Sequence, residues 1–418
     1  MRIPTFHGLF KGDTIMSKVL IYTCAYNAEN TIKRTIKSIL AQTHSDWVYY
    51  IVDNGSTDKT GAIIREYAEH DARIVVLANR INHDWEPGNG LQECVESNPD
   101  CDYFCWLDAD DEYKEVFIKK SIAFIQQNKL DIAISGSDFI DTQTQKIIGV
   151  RVITQSFIIE QNLFSDMFTI YHQFIRTVWG KLFSSRVISM TDPTNVPAVG
   201  YGWDTLFTQE MLRNSIRVGF LAESLHKYYV SPKSVSYRWE DKRIESDRIL
   251  DSKARQFLLD KCGTISPPNN EFLIIVYMYA LIDTFNVLIN SDMDDGTRLE
   301  NLCDMFLCDQ GKQLAAWEFS GTLLRDINCQ IIKRNELFLT AAEWLLSRED
   351  VADEQVEKYC DLGEFLCAAS ESAKGWVFFN KLRVQYLVER GRFDEARPKI
   401  EELLGLLPND DELIHLLN

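Results

Sequence analysis

Between Lys18 and Asp108 the chain alternates short, unbroken apolar runs with longer stretches of helical period, and this alternation leaves few folds open. KVLIYTC (18–24), WVYYIVD (47–53), RIVVLA (73–78) and YFCWLD (103–108) are strand candidates. ENTIKRTIKSILAQ (29–42) sets Ile32, Ile36, Ile39 and Leu40 at helical spacing, DKTGAIIREYAEH (58–70) is a second helix, and GLQECVESN (90–98) a short third. Strands apolar along their whole length and separated by helices run parallel, with helices on both faces of the sheet. Ligands of such sheets bind outside the carboxyl ends of the strands. The polar punctuation falls at those ends, at Thr23 to Asn27, Asp53 to Asp58 and Asp108 to Glu112. One rim is therefore expected to carry all three clusters.

The sharpest of these is DYFCWLDADDEYKE (102–115), where Asp108, Asp110, Asp111 and Glu112 crowd the tip of an apolar run. Carboxylates this close raise one another's cost of ionisation, so a positive partner is expected from elsewhere. A hard divalent cation such as magnesium or manganese suits oxygen ligands, and binds through one or two carboxylates plus substrate phosphates. Asp108 and Asp110, separated by the small Ala109, can both reach one rim. A helix N-cap ahead of KEVFIKKSIAFIQQNK is the competing reading, and Asp111 with Glu112 are assigned to it. An EF-hand loop fails for want of its glycine and terminal glutamate. Asp53 closes the second strand; Asn54 and Gly55 suit a turn, Ser56 or Asp58 a cap, and an acid at such a tip commonly accepts hydrogen bonds from a ribose or base.

With 418 residues, 45% of them hydrophobic and 25% charged, the chain is long enough for two or three globular domains. A net charge of -18 argues against a nucleic-acid backbone or a bare anionic lipid surface as the primary partner. Ten cysteines without a C-x-x-C pair suit buried thiols in a reducing compartment rather than a zinc framework. No signal-peptide pattern opens the sequence, and residues 1–16 read as a leader. FLIIVYMYALIDTFNVLI (272–289) contains Asp283 and Asn286 and reads as a buried helix, so no transmembrane segment is expected. The expected setting is cytoplasmic, with a peripheral position at the inner membrane face as a variant. LDIAISGSDFID (130–141), KIIGVRV (146–152) and RVGFLAESLHKYYVS (217–231) read as strands, and DTLFTQEMLRN (204–214) as a helix. A linker is expected over 241–270, including the loop GTISPPNN (263–270), and an all-helical domain over 271–418. In YLVERGRFDEARPKIEELLGLLPNDDEL (386–413), Gly391, Ala396, Ile400 and Pro408 have the spacing of a tetratricopeptide-like helical pair or a generic helical hairpin, a surface for a protein partner or self-association.

Five segments in order, TCAYNAENTIKRTIKSILAQTH, YYIVDNGSTDKT, WLDADDEY, VWGKLFSSRVI (178–188) and GWDTLFTQEML (202–212), resemble the family 2 glycosyltransferases of the GT-A fold. The resemblance runs from Ser17 to about Trp239, and implies a Rossmann-like α/β catalytic domain with a mostly parallel sheet over 17–240. It implies inverting transfer of a sugar from a nucleotide diphosphate donor, a UDP-sugar foremost, to a glycan, lipid-linked or protein acceptor. Asp53 would contact the nucleobase, with Thr23 and Tyr26 lining its pocket. Asp108 would sit against ribose and metal, Asp110 would ligate manganese or magnesium directly, and Asp204 would be the general base. The sequence departs from the family at Asn54, where a second Asp is usual. It departs again at Trp203, where Glu is usual; the indole is either a stacking platform for a sugar or a core residue. WEPGNGLQE (85–93) lacks the family's arginine, which Arg80 could supply. Lys181 could reach a phosphate or lie along Trp179 with a solvated head, and His226 could complete a metal shell, hydrogen-bond the diphosphate or be structural. SPKS (231–234) is a candidate loop over the site. The Gln-x-x-Arg-Trp signature is absent, which favours single-sugar transfer over processive synthesis. A nucleotidyltransferase, whose Gly-rich basic loop is missing, and a degenerate enzyme serving as a helical interaction scaffold are the other readings.

Overall fold

A computed structural model describes residues 17–83, 90–230, 238–318, 327–348 and 353–417. The expected leader, residues 85–89 of WEPGNGLQE and the SPKS loop lie outside them. The chain divides into two compact units, the first ending at Asn269 and the second beginning at Asn270.

The first unit starts with β1 (Val19–Ala25), α1 (Ile32–Leu40), β2 (Trp47–Asp53), α2 (Thr60–His70), β3 (Ile74–Ala78), α3 (Leu91–Glu96) and β4 (Tyr103–Trp106). These strands pair in parallel, β2 beside β1 and β3, and β1 beside β4. The alternation of apolar strand and helix forces this, because a parallel connection needs a crossover. In register, Asp53 lies opposite both Ala25 and Ala78, and Tyr22 opposite Trp106, so the strand tips form one rim. Ile32, Ile36 and Ile39 of α1 are fully buried on the sheet with Val19, Ile21 and Ile51. Each such side chain contributes about 1.5–3 kcal/mol of transfer free energy.

Beyond β4 the sheet becomes mixed. β5 (Glu112–Tyr113), α4 (Phe117–Asn128), β6 (Ile132–Asp141), β7 (Ile147–Arg151), β8 (Phe157–Glu160), α5 (Leu163–Asp166), α6 (Phe168–Ile175), β9 (Lys181–Ser184), α7 (Ser185–Ser189), α8 (Trp203–Arg213) and β10 (Arg217–Val230) follow. The strand order is β3-β2-β1-β4-β9-β6-β10-β5, with β7 on β6 and β8 on β10. β9 enters antiparallel between β4 and β6, which ends the run of parallel strands. Short elements such as β5, β8 and β9 escape a reading by periodicity because four residues or fewer show no period.

Residues 243–262, expected as part of a linker, form α9 (Arg243–Cys262), with Phe257 and Leu258 fully buried. The loop expected over 263–270 is shorter, since α10 (Pro267–Ile289) starts at its first proline, a position where the missing N–H costs nothing. α10 is long and apolar enough to cross a membrane, and half of its most apolar window is buried within the protein.

The second unit is helical, continuing through α11 (Asp295–Phe306), α12 (Asp309–Ala315), α13 (Ile327–Leu346), α14 (Val356–Ala369), α15 (Ala373–Glu389), α16 (Phe393–Leu406) and α17 (Asp411–Leu417). α15 and α16 are joined through Gly391 at φ 72°, with Ala396, Ile400 and Leu403 buried against Val384 and Leu387.

Gly202, before α8, has φ 82°, and a Cβ there would come within 2.8 Å of Leu250 Cδ1 on α9. Gly202→Ala is expected to cost about 1–3 kcal/mol through left-handed backbone strain and the clash. A thermal melt should show the transition of the first unit falling by several degrees, and an unchanged melt would contradict this packing.

Candidate active site

The rim is built by two loops that cap each other. In the β1–α1 loop, Asn27 N–H donates to Ser56 Oγ at 3.0 Å and Ala28 N–H to Thr60 Oγ1 at 2.7 Å. In return, Thr57 N–H donates to Asn27 Oδ1 at 2.9 Å and Lys59 N–H to Glu29 Oε2 at 3.1 Å. Asp58 accepts from Glu29 N–H and from Thr60 N–H, the first turn of α2. Asp53 is 8% exposed at the end of β2, and its Oδ1 accepts from Ser56 N–H at 3.1 Å. Tyr26, 47% exposed, stands on the same rim.

Asn54 uses both ends of its amide. Its Nδ2 donates to Asn82 Oδ1 at 2.9 Å, and its Oδ1 accepts from Asn79 Nδ2 at 2.9 Å and from His83 N–H at 3.3 Å. An aspartate would lose the donor, which explains locally why an amide stands here. Thr23, expected in a base pocket, is instead fully buried. Its hydroxyl donates to Leu107 O at 2.6 Å and lies 2.9 Å from Tyr49 Oη, bracing β1 against the end of β4. Arg80 is exposed in the segment after β3.

The acid cluster splits into two pairs. Asp108 feels the charges of both Asp110 and Asp204, the latter being the second residue of α8. Burial, then Asp110 and Asp204, push the Asp108 carboxyl up to about 7, while its Oδ1 accepts from Trp106 Nε1 at 2.9 Å. Burial also raises Asp110, opposed by its own backbone N–H and by Arg34. Asp204 is pushed up to about 6 by burial, against the Thr205 N–H and the charges of Lys181 and Arg176. Ala109 between the first two is half-buried against the apolar core, leaving Asp110 exposed at the rim.

Asp111 and Glu112 do not cap α4, whose N-cap is Val116 with no side-chain bond. Asp111 is fully buried and accepts from Tyr229 N–H at 2.9 Å, while its Oδ2 faces His226 Nε2 at 3.3 Å, out of line for a strong hydrogen bond. Glu112 lies between Arg34, Lys227 and the Tyr229 hydroxyl. Of the four acids, it is Asp111 that His226 faces, rather than the Asp108–Asp110 edge expected to hold the metal. His226 is fully buried, its Nδ1 lies 3.2 Å from Ser137 Oγ, and its ring stacks on Trp179 at 4.3 Å. Burial, with Lys181 and Arg151, keeps it neutral by pulling its pKa well below the usual histidine range.

Lys181 fits neither expectation. It is 1% exposed, and its ammonium donates to the carbonyls of Thr177 and Trp179 and to Thr177 Oγ1. Trp203 is 5% exposed, stacked on Phe207 at 4.8 Å and tilted against Trp106 at 5.5 Å. It is a core residue and offers no open face to a sugar, although its buried Nε1–H has no acceptor. The Trp106–Trp203 contact brings the β4 tip and the start of α8 together.

Sequence reasoning missed the local cations. Arg34 donates to the Asp110 carbonyl and stacks 3.5 Å over Tyr229. Arg151 donates to Gln173 O at 3.0 Å near the ring of Trp179. Single basic residues inside apolar runs, as in IIGVRV and FIRTVWG, are the signal that could have flagged Arg151 and Arg176.

Among the described residues no three His, Cys, Asp or Glu side chains are disposed to enclose a metal ion. Asp108 and Asp110 supply an open oxygen edge whose charge Arg34 partly offsets at Asp110, and this fits a magnesium- or manganese-type ion completed by substrate oxygens.

Residues 20–182 match the model of glycosyl transferase family 2. The chain is 24% identical over 253 residues to glycosyltransferase GlyA of Streptococcus pneumoniae, covering 58% of this chain and 34% of that protein. It is 30% identical over 131 residues to UDP-Glc:alpha-D-GlcNAc-diphosphoundecaprenol beta-1,3-glucosyltransferase WfaP of Escherichia coli, covering 30% of this chain and 50% of that one. The chain thus spans a third to a half of these relatives' length. Among solved structures, S. aureus TarS 1-349 in complex with UDP-GlcNAc aligns at TM-score 0.42 and 13% identity, covering 90% of this chain and 92% of that one.

The raised Asp108 carboxyl sets a pH-dependent stability. The folded chain holds a proton that the unfolded chain releases, so stability falls as pH rises from about 4 to about 7, and the penalty is complete above that. Asp108→Asn, which keeps an acceptor for Trp106, should raise the metal-free melting temperature at pH 8 by a few degrees, about 1–2 kcal/mol, with no gain at pH 4. Equal melts at pH 8 would contradict the repulsion.

Proposed function

We propose, from the match of residues 20–182 to the model of glycosyl transferase family 2, that the chain transfers a sugar from a nucleotide diphosphate donor to a hydroxyl acceptor with inversion. The observation that supports the reading is that the charges of Asp110 and of Asp204, from two distant segments, both act on the buried Asp108. Tyr26 and Asp53 stand where parallel sheets receive a base and ribose. Asp108 and Asp110 would hold a magnesium or manganese ion, which when bound offsets charge on the departing diphosphate. Asp204 deprotonates the acceptor hydroxyl; one base suffices for a single displacement. Its raised pKa makes it a stronger base than an ordinary aspartate while leaving it ionised near neutrality. The buried Lys181 and exposed Arg176 favour that ionised form.

A UDP-sugar donor is favoured by the relative named for UDP-Glc. A glycan, lipid-linked or protein acceptor suits the open rim, and the α14–α17 helices are offered for acceptor binding or self-association. A cytoplasmic setting is the reading favoured by ten cysteines without a C-x-x-C pair, which suit buried thiols in a reducing compartment.

The test is a donor-hydrolysis screen across nucleotide sugars with and without manganese, followed by Asp204→Asn on the best donor. The variant should lose about 10²–10⁴ in kcat with little change in donor KM. Wild-type kcat should fall as pH drops through about 6, where Asp204 takes up its proton. Hydrolysis of no donor, or full kcat in the variant, would sink the assignment.

A further inference from the structure

We propose that an open cavity between α1 and β5, beside the acidic turn, is a binding site for a phosphate-bearing ligand separate from the donor site. The cavity measures about 770 Å³, within the range of small-molecule pockets. Five cations line it: Lys33, Arg34, Lys37, Lys114 and Lys227. Among the residues that line the cavity, Glu112 and Glu115 are the acids. On a chain of net charge -18 this local excess runs against the field of the rest of the molecule.

Three of the cations have acidic partners. Lys114 pairs with Asp138 at 2.7 Å, while Lys227 and Arg34 share Glu112 at 3.1 and 3.6 Å. Lys33 and Lys37 are exposed and, among the described residues, make no ion pair. They stand one helical turn apart on α1, a like-charge spacing that opposes the helix unless an anion lies between them. Ammonium groups from α1, β10 and the segment after β5, with one guanidinium fork, suit a multi-oxygen anion better than one carboxylate. Arg34 also donates to the Asp110 carbonyl, so an occupant of the cavity engages the side chain that holds the rim's exposed carboxylate. The proposal does not depend on the sugar-transfer reading.

The test uses the full chain in excess EDTA, which removes any ion that could draw phosphate to Asp108 and Asp110. Inorganic pyrophosphate is titrated by calorimetry, and phosphatidylglycerol-containing vesicles by co-sedimentation. The Lys33→Glu/Lys37→Glu variant should lose about ten-fold or more in affinity, whereas Lys119→Glu/Lys374→Glu, with the same change in net charge at exposed positions elsewhere, should bind as wild type. Binding to pyrophosphate assigns the ligand to a free phosphate, and binding to vesicles alone assigns it to a lipid headgroup. No binding of either probe by wild type, or equal weakening in both variants, overturns the site.

Discussion

Burial of Asp108 within reach of the charges of Asp110 and Asp204 is the constraint on which the site of the first unit depends. Two of these acids lie in the turn after β4 and the third in the first turn of α8, so their proximity is imposed by tertiary structure. Folding brings them together at a cost, visible in the raised pKa of Asp108, to which burial contributes first and the charges of Asp110 and Asp204 next. A chain that merely needed a stable core would place apolar or neutral residues there. The cost becomes intelligible when the rim receives a cation and an electron-rich ligand.

The surroundings hold that arrangement from below. Tyr113 Oη donates to Trp106 O at 2.6 Å and accepts from Gly180 N–H at 3.3 Å, tying the β4 tip to the entry of β9. Asp111 accepts from the β10 backbone and faces His226, which in turn rests on Trp179. Thr23 ties β1 to Leu107. Tyr113 and Thr23 do not reach the rim, yet they hold Trp106 and Leu107, the residues that lead into Asp108. The reciprocal capping between the β1–α1 and β2–α2 loops does the same for Tyr26 and Asp53.

The parallel half of the sheet was legible because its strands are continuous apolar runs with helices of ordinary length between them. The mixed half was not, since β5, β8 and β9 are too short to show a period, and α9 has almost no apolar asymmetry to betray it. Within the site, the carboxylates could be read from their density at a strand end. The errors concerned direction. Thr23, Trp203, Lys181 and His226 lie close to the acids along the fold, but their side chains turn into the interior. Sequence spacing places a residue on an element without saying which side of a mixed sheet it enters. The basic residues near the acids, Arg34, Arg151 and Arg176, come from other elements, and only the placing of Arg151 and Arg176 inside apolar runs hinted at the last two.

The central claim is that the β4 rim is a cation site completed by a nucleotide's phosphates. Calorimetric titration of manganese into the chain, alone and with uridine diphosphate present, addresses it most directly when Asp110→Ala is measured alongside. The account predicts weak binding to the chain alone, at least ten-fold tighter binding with the nucleotide, and loss of that gain in the variant. Manganese binding that ignores the nucleotide, or survives unchanged in Asp110→Ala, would contradict it.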